Sequence, residues 1–405
     1  MRISTNMIFD SGVARISDQQ AALLKTQQQI SANRRILSPS DDPIAAARAL
    51  NVTQNQSLNT QYGDNRTQAK NALNLEENAL QTLTTQIQNL QSLVVEAGNA
   101  AFDDNQRSYI ATEIRGSLQE ILGLANTRDS DGNYLFSGFQ LSTQPFNATS
   151  TGATYAGDQG VRKIQVDSLR QMEINDTGYS VFENNAGSAT FSVSPSGGFT
   201  NAADISSPLV TDHTVVTGHQ YQVVFGAGGT TYSVNDVTTG TAVATNVAYT
   251  SPQSMTSIPG IKFSFSGTHA AGDTVTVNTT AAKGGNQSLF STVTDLINVL
   301  ETKTSGTVSG KFNLTEGLAA ASSNLASSLD NVLTVRASVG ARLKEIDSLD
   351  SAGEDKDLQY SAVLSDLQDL DYAKAASDLT FQKMVLEAAQ QSFVKLSGMS
   401  LFNYL

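Results

Sequence analysis

Tyr372-Ala373-Lys374-Ala375-Ala376-Ser377-Asp378-Leu379-Thr380-Phe381-Gln382-Lys383-Met384-Val385-Leu386-Glu387-Ala388-Ala389-Gln390-Gln391-Ser392-Phe393 carries two interleaved heptad rows. One row is Tyr372, Leu379, Leu386 and Phe393; the other is Ala375, Gln382, Ala389 and Leu396. An apolar seam this narrow belongs to a coiled coil, because an ordinary globular helix buries a wider face. The same period recurs at the opposite end of the chain. Ile16, Leu23, Ile30 and Leu37 form one row there, with Val13, Gln20, Gln27 and Arg34 offset between them. Any one such segment could be a helix of a soluble bundle. Matching seams at both termini point to arms that pair, with Gln20, Gln27 and Gln382 sacrificing stability to fix register.

Inward from these arms the flanks stay helical. Leu80, Leu83, Ile87, Leu90 and Val94 alternate steps of three and four, as do Ile110, Ile114, Ser117, Ile121 and Leu124. Leu325, Leu329, Val332, Val339, Leu343 and Ile346 continue the pattern near the other end. Asp41 and Asp42 precede Pro43, which places a rigid corner there: Asp42 can cap a helix whose first position is Pro43. Asp103 and Asp104 can cap a helix after a break at Gly98-Asn99, and Gly353 is the expected hinge before the last helix.

The middle has another character. Tyr221-Gln222-Val223-Val224-Phe225, Lys262-Phe263-Ser264-Phe265 and Thr274-Val275-Thr276-Val277 are alternating, strand-length runs. Gly226-Ala227-Gly228-Gly229, Pro259-Gly260 and Ala271-Gly272-Asp273 punctuate them as turns. The fold class is therefore α+β: long terminal coiled-coil helices and a helical bundle formed from both flanks, with a central, mainly antiparallel β domain inserted. The expected boundaries are 1–42 with 354–405 for the coiled coil, 43–132 with 286–353 for the helical part, and 133–285 for the outer β part.

Composition narrows the function. The net charge of −13 repels a phosphate backbone, which argues against nucleic acid as a partner. With no Cys, disulfides, thiolate metal sites and thiol catalysis are excluded. No stretch approaches the roughly 20 apolar residues of a membrane span, so no membrane insertion is expected. The opening residues lack the apolar core of a secretory signal, and composition alone reads as cytoplasmic.

A search for chemistry finds no reaction. Gly226-Ala227-Gly228-Gly229 lacks the Lys-Ser/Thr of a phosphate loop. Asp129-Ser130-Asp131-Gly132-Asn133 echoes a calcium loop, but its glycine comes too early and Gln140 stands where the bidentate Glu belongs. His213, His219 and His269 are too scattered for a ligand pair and read as surface or loop residues of the β part. No catalytic residue, cofactor or metal is expected.

Several stretches are similar to a known family. They are Met1-Arg2-Ile3-Ser4-Thr5-Asn6-Met7, the run Arg34-Arg35-Ile36-Leu37-Ser38-Pro39-Ser40-Asp41-Asp42-Pro43-Ile44-Ala45-Ala46-Ala47-Arg48-Ala49-Leu50, and Asp131-Gly132-Asn133-Tyr134-Leu135-Phe136-Ser137-Gly138. Asp371-Tyr372-Ala373, Leu386 to Phe393 and the ending Ser400-Leu401-Phe402-Asn403-Tyr404-Leu405 complete the set. In these the chain resembles the flagellar hook-associated protein 3 (FlgL) family, relatives of flagellin that join hook to filament. The resemblance covers both flanks; the middle matches only in type, as an inserted β region.

The resemblance implies a structural subunit, not an enzyme. It implies self-assembly into a ring-like helical layer, with the first hook-associated protein below, flagellin above and a cytoplasmic export chaperone before assembly. It also implies an extracellular place at the hook–filament junction, reached by type III export without a cleaved signal, in place of the cytoplasmic reading. The residues expected at the assembly interface are Ile16, Leu23, Ile30, Leu37, Tyr372, Leu379, Leu386, Phe393, Leu396, Leu401, Phe402 and Leu405, with Asp41, Asp42 and Pro43 as the structural corner. Flagellin itself is the alternative, disfavoured by the opening and closing residues.

Overall fold

The structure, a computed structural model, describes residues 5–197, 205–212, 215–281, 287–304 and 308–398. Its helices are α1 (Thr5–Ala32), α2 (Pro43–Ala97), α3 (Asp104–Ala125), α4 (Leu289–Glu301), α5 (Val308–Gln368) and α6 (Tyr372–Gly398), with a strand-rich region between α3 and α4. This is the α+β arrangement that the two periodicities predict. The chain divides into two compact units, Met1–Arg66 with Asp347–Leu405, and Thr67–Ile346.

In the first unit α1 pairs with α6, and the start of α2 packs on the end of α5. Gln56 Nε2 donates to the Asp357 carboxylate at 2.9 Å, and Asn59 Nδ2 donates to the Gly353 carbonyl at 2.8 Å. The Arg66 side chain, 5% exposed, reaches Asp350 from the same face of α2. Gly353 is therefore no hinge, because α5 runs unbroken through it to Gln368. A Cβ at Gly353 would come within 2.5 Å of the Arg66 guanidinium, so the glycine permits close approach instead. The break lies beyond it, where Asp371 caps α6 by accepting the Lys374 N–H at 3.0 Å.

The second unit holds the main core. Leu80, Leu83, Ile87, Leu90 and Val94 of α2 are buried, as are Ile110, Ile114 and Ile121 of α3 and Leu325, Val332, Val339 and Ile346 of α5. Asp103 and Gln106 form a reciprocal capping box that starts α3. Phe136, Phe146, Phe182 and Phe290 form an aromatic cluster with ring centroids 4.9–5.6 Å apart. Gly138 follows Phe136 at φ +75°, and a side chain there would collide with Asp158, whose carboxylate accepts the Phe139 N–H at 2.8 Å. Glu76 accepts the Asp176 N–H at 3.0 Å; burial, reinforced by the Asp176 charge, pushes its carboxyl well above the usual range.

The strands pair antiparallel throughout. Two hairpins come first: β1 (Phe146–Thr149) with β2 (Gly152–Tyr155), and β3 (Lys163–Asp167) with β4 (Arg170–Glu173). A five-stranded sheet then has the order β5 (Thr190–Ser196), β12 (Thr274–Thr280), β7 (Gln220–Phe225), β8 (Thr231–Asp236), β9 (Thr241–Ala248). A three-stranded sheet has the order β10 (Gln253–Met255), β11 (Ile261–Phe265), β6 (Ile205–Val210). Alternate residues Tyr221, Val223 and Phe225 of one sheet and Phe263 and Phe265 of the other share a single core, with Phe225 and Phe265 edge to face at 5.5 Å.

His269 lies in the loop between β11 and β12, but it is buried there, with its ring 4.2 Å from that of Phe225. His219 bonds Asp236 at 2.7 Å, and His213 lies outside the described residues. In the calcium-like loop the Asp129 carboxylate accepts the Asp131 and Asn133 N–H groups at 2.9 and 2.8 Å, which closes a turn. Among the described residues no helix is long and apolar enough to cross a membrane.

Candidate assembly interface

The α1–α6 coil is built as a heptad seam. Ile16, Leu23 and Ile30 of α1 and Leu379, Leu386 and Phe393 of α6 are half-buried along it, with Ala375 buried. The second row on α1 is Gly12, Gln19 and Thr26; Val13, Gln20 and Gln27, the row read from the sequence, face solvent. Both choices alternate steps of three and four, so apolar content alone cannot separate them. Contacts across the seam decide it. Thr26 Oγ1 donates to Gln382 Oε1 at 3.0 Å, Gln19 Nε2 reaches the Gln382 carbonyl at 3.5 Å, and the Phe9 and Phe393 rings lie 5.0 Å apart.

The corner after α1 is held by polar groups. Asn33 takes φ +50°, a left-handed conformation suited to ending a helix. Arg35 then donates its backbone N–H to Gln368 O and its guanidinium to Leu367 O, each at 2.7 Å. Asp41 accepts the Leu37 and Ser38 N–H groups at 3.0 Å and pairs with Lys25 at 2.7 Å. The Lys25 contact first, then those two backbone donors, lower its carboxyl to about 2. Asp42 caps α2 through the Ala45 N–H at 3.0 Å, with Pro43 at the first helical position.

Not every expected interface residue lies on the seam. Tyr372 is 61% exposed at the first position of α6, and Leu37 stands half-open in the corner. Leu396 belongs to α6, but its side chain lies outside the described residues, as do Leu401, Phe402 and Leu405 altogether. The sequence reading passed over a second set. Phe381 and Met384, 64% and 63% exposed, occupy the face of α6 turned away from α1, while Met7, Val13 and Leu24 are exposed on α1. Ile44, Leu50 and Leu358 add to the open apolar surface of this unit. The available signal was the apolar pair at i, i+3 lying off both heptad rows. Exposed apolar surface of this extent on a two-helix coil is of the kind that marks interaction sites.

Comparison with known proteins points the same way. A family described as the bacterial flagellin N-terminal helical region matches residues 3–140. The flagellar hook-associated protein 3 of Escherichia coli (strain K12) is 30% identical over 99% of both chains. A flagellin of Shigella flexneri is 26% identical, over 55% of this chain and 37% of its own length. Among solved structures, the flagellar hook associated protein-3 of Legionella pneumophila superposes with a TM-score of 0.63 at 26% identity, covering 78% of this chain and 98% of that one.

Proposed function

The chain belongs to the flagellar hook-associated protein 3 family, structural and not enzymatic components of the extracellular bacterial flagellum, and we propose that it forms the layer joining hook to filament. In this reading the first hook-associated protein lies on one side of the layer and flagellin on the other. Export proceeds without a cleaved signal, under the guard of a cytoplasmic chaperone. The terminal segments 1–42 and 354–405 do the assembling, 43–132 with 286–353 form the helical middle, and 133–285 faces outward.

The observation that carries this reading is the open apolar surface of the coil. Ile16, Leu23, Ile30, Leu379, Leu386 and Phe393 hold α1 against α6, while Phe381, Met384 and Leu24 stay exposed for neighbouring copies. Each such side chain, once covered, contributes about 1.5–3 kcal/mol. A neighbour is therefore a sufficient reason for the exposure. Flagellin as the alternative has the weaker support, because similarity to it covers little more than half of this chain.

The test is genetic. A strain lacking this chain should release flagellin as monomers and hold no filament; loss of the filament protein itself would instead make the chain a flagellin. Restoring the strain with Phe381→Asp/Met384→Asp should give protein whose second unit folds normally but which does not join the flagellum. Ordinary filaments from that variant would overturn the assignment of this face.

A further inference from the structure

A cleft of about 550 Å³ opens in the second unit where α4 and the early turns of α5 meet β5 and β12, the edge strand and its neighbour in the five-stranded sheet. Its size suits a small molecule. Gly317 helps to shape it: a Cβ there would come within 2.5 Å of Val299, so α4 and α5 approach closely at that level.

Two polar side chains one turn apart on α5 line this cleft without partners. Glu316 is 7% exposed, and among the described residues nothing hydrogen-bonds its carboxyl. Asn313 Oδ1 is wholly buried and unsatisfied, whereas the Glu316 oxygens keep some access to solvent. A buried polar atom left without a hydrogen bond costs about 1–3 kcal/mol. Native folds keep few of them, and one that lines a cleft beside an unbonded carboxyl invites an occupant. Burial also pushes the Glu316 carboxyl up to about 7, so it can donate as well as accept near neutrality.

The remaining walls restrict what that occupant can be. Across from α5 stand Ser291, Asp295 and Asn298 of α4, while Val299 and Ala320 supply apolar surface. Among the described lining residues there is no Lys, Arg or His, so they offer a phosphate, sulfate or carboxylate no counter-charge. Mixed hydroxyl, amide and carboxyl groups beside short apolar side chains match a ring that carries hydroxyls on its edge and C–H groups on its face.

We propose that this cleft binds a neutral polyhydroxylated ring of monosaccharide size, with Glu316 and Asn313 hydrogen-bonding its hydroxyls and Val299 and Ala320 packing on its face. The ring comes from a free sugar or from the end of a glycan chain. Calorimetric titration of the full chain with N-acetylglucosamine, and separately with its linear tetramer, distinguishes the two sources. Saturation by the single sugar identifies the free ligand, and saturation by the tetramer alone identifies a chain end. Glu316→Ala and Asn313→Ala should each weaken that binding about tenfold or more. Asn298→Ala, on the facing helix and at an exposed position, provides the same readout should a change on α5 disturb folding. Absence of saturable binding by either probe, or affinity unchanged in all three variants, would overturn the proposal.

Discussion

The Phe393 ring lies where a side chain on Gly12 would stand: a Cβ at Gly12 would come within 2.8 Å of it. Glycine in a helix interior costs roughly 0.5–1 kcal/mol relative to alanine, so its presence in α1 needs a reason. The ring supplies it. Gly12→Val should push Phe393 off the seam and part the ends of α1 and α6. Cross-linking of cysteines placed at positions 19 and 382, which face each other across the seam and leave the Phe393 ring in place, should fall several-fold in that variant; undiminished cross-linking would remove the steric role given to Gly12.

The Thr26–Gln382 hydrogen bond predicts a trade between stability and register. Replacing both residues with apolar ones, Thr26→Val/Gln382→Leu, removes a polar pair that nets only about 1 kcal/mol and adds apolar burial. The coil should melt higher in the isolated chain. Incorporation into flagella should nonetheless drop, because a seam without a polar marker also tolerates slipped registers. Higher melting together with normal incorporation would leave the polar pair without a role in register.

Gly138 should tolerate no replacement. Its φ of +75° combines with the Asp158 side chain occupying the space a Cβ would need. The conformational part alone costs about 1–3 kcal/mol in a non-glycine residue. Gly138→Ala should therefore lower the thermal midpoint of the second unit by several degrees, readable by near-ultraviolet circular dichroism from the adjacent aromatic cluster.

Stability should carry a signature of Glu316. Burial raises its carboxyl from 4.5 to about 7 in the folded chain. Between those values the native state keeps a proton that the unfolded chain has released, so stability from this group falls as pH rises through the window. Denaturant midpoints of the wild type should decline from pH 4.5 to 7 relative to those of Glu316→Gln. Parallel curves for the two proteins would place the proton elsewhere.

The α6 seam was legible in the sequence because its apolar residues recur at fixed steps in a stretch without Gly or Pro. On α1 one row read correctly and the other shifted by a residue, since Gln19 and Gln20 are chemically identical and only Gln382, more than 350 positions away, selects between them. Gly353 was misread for a similar reason: what makes it a packing site is Arg66, which no local pattern reveals. Phe381 and Met384 were not legible because they fall off both heptad rows, and an exposed apolar surface need not share the period of the seam on the other side of its helix. The burial of His269 within its loop was not legible, because its cage of Phe225 and Tyr249 assembles only when distant strands pair.

Pairing of α1 with α6 joins the first and last helices among the described residues. However the chain is delivered to its destination, that junction cannot close until residue 393 has arrived. If the chain assembles through this coil as proposed, completion becomes a condition for polymerisation: a subunit cut before α6 lacks half of the joint.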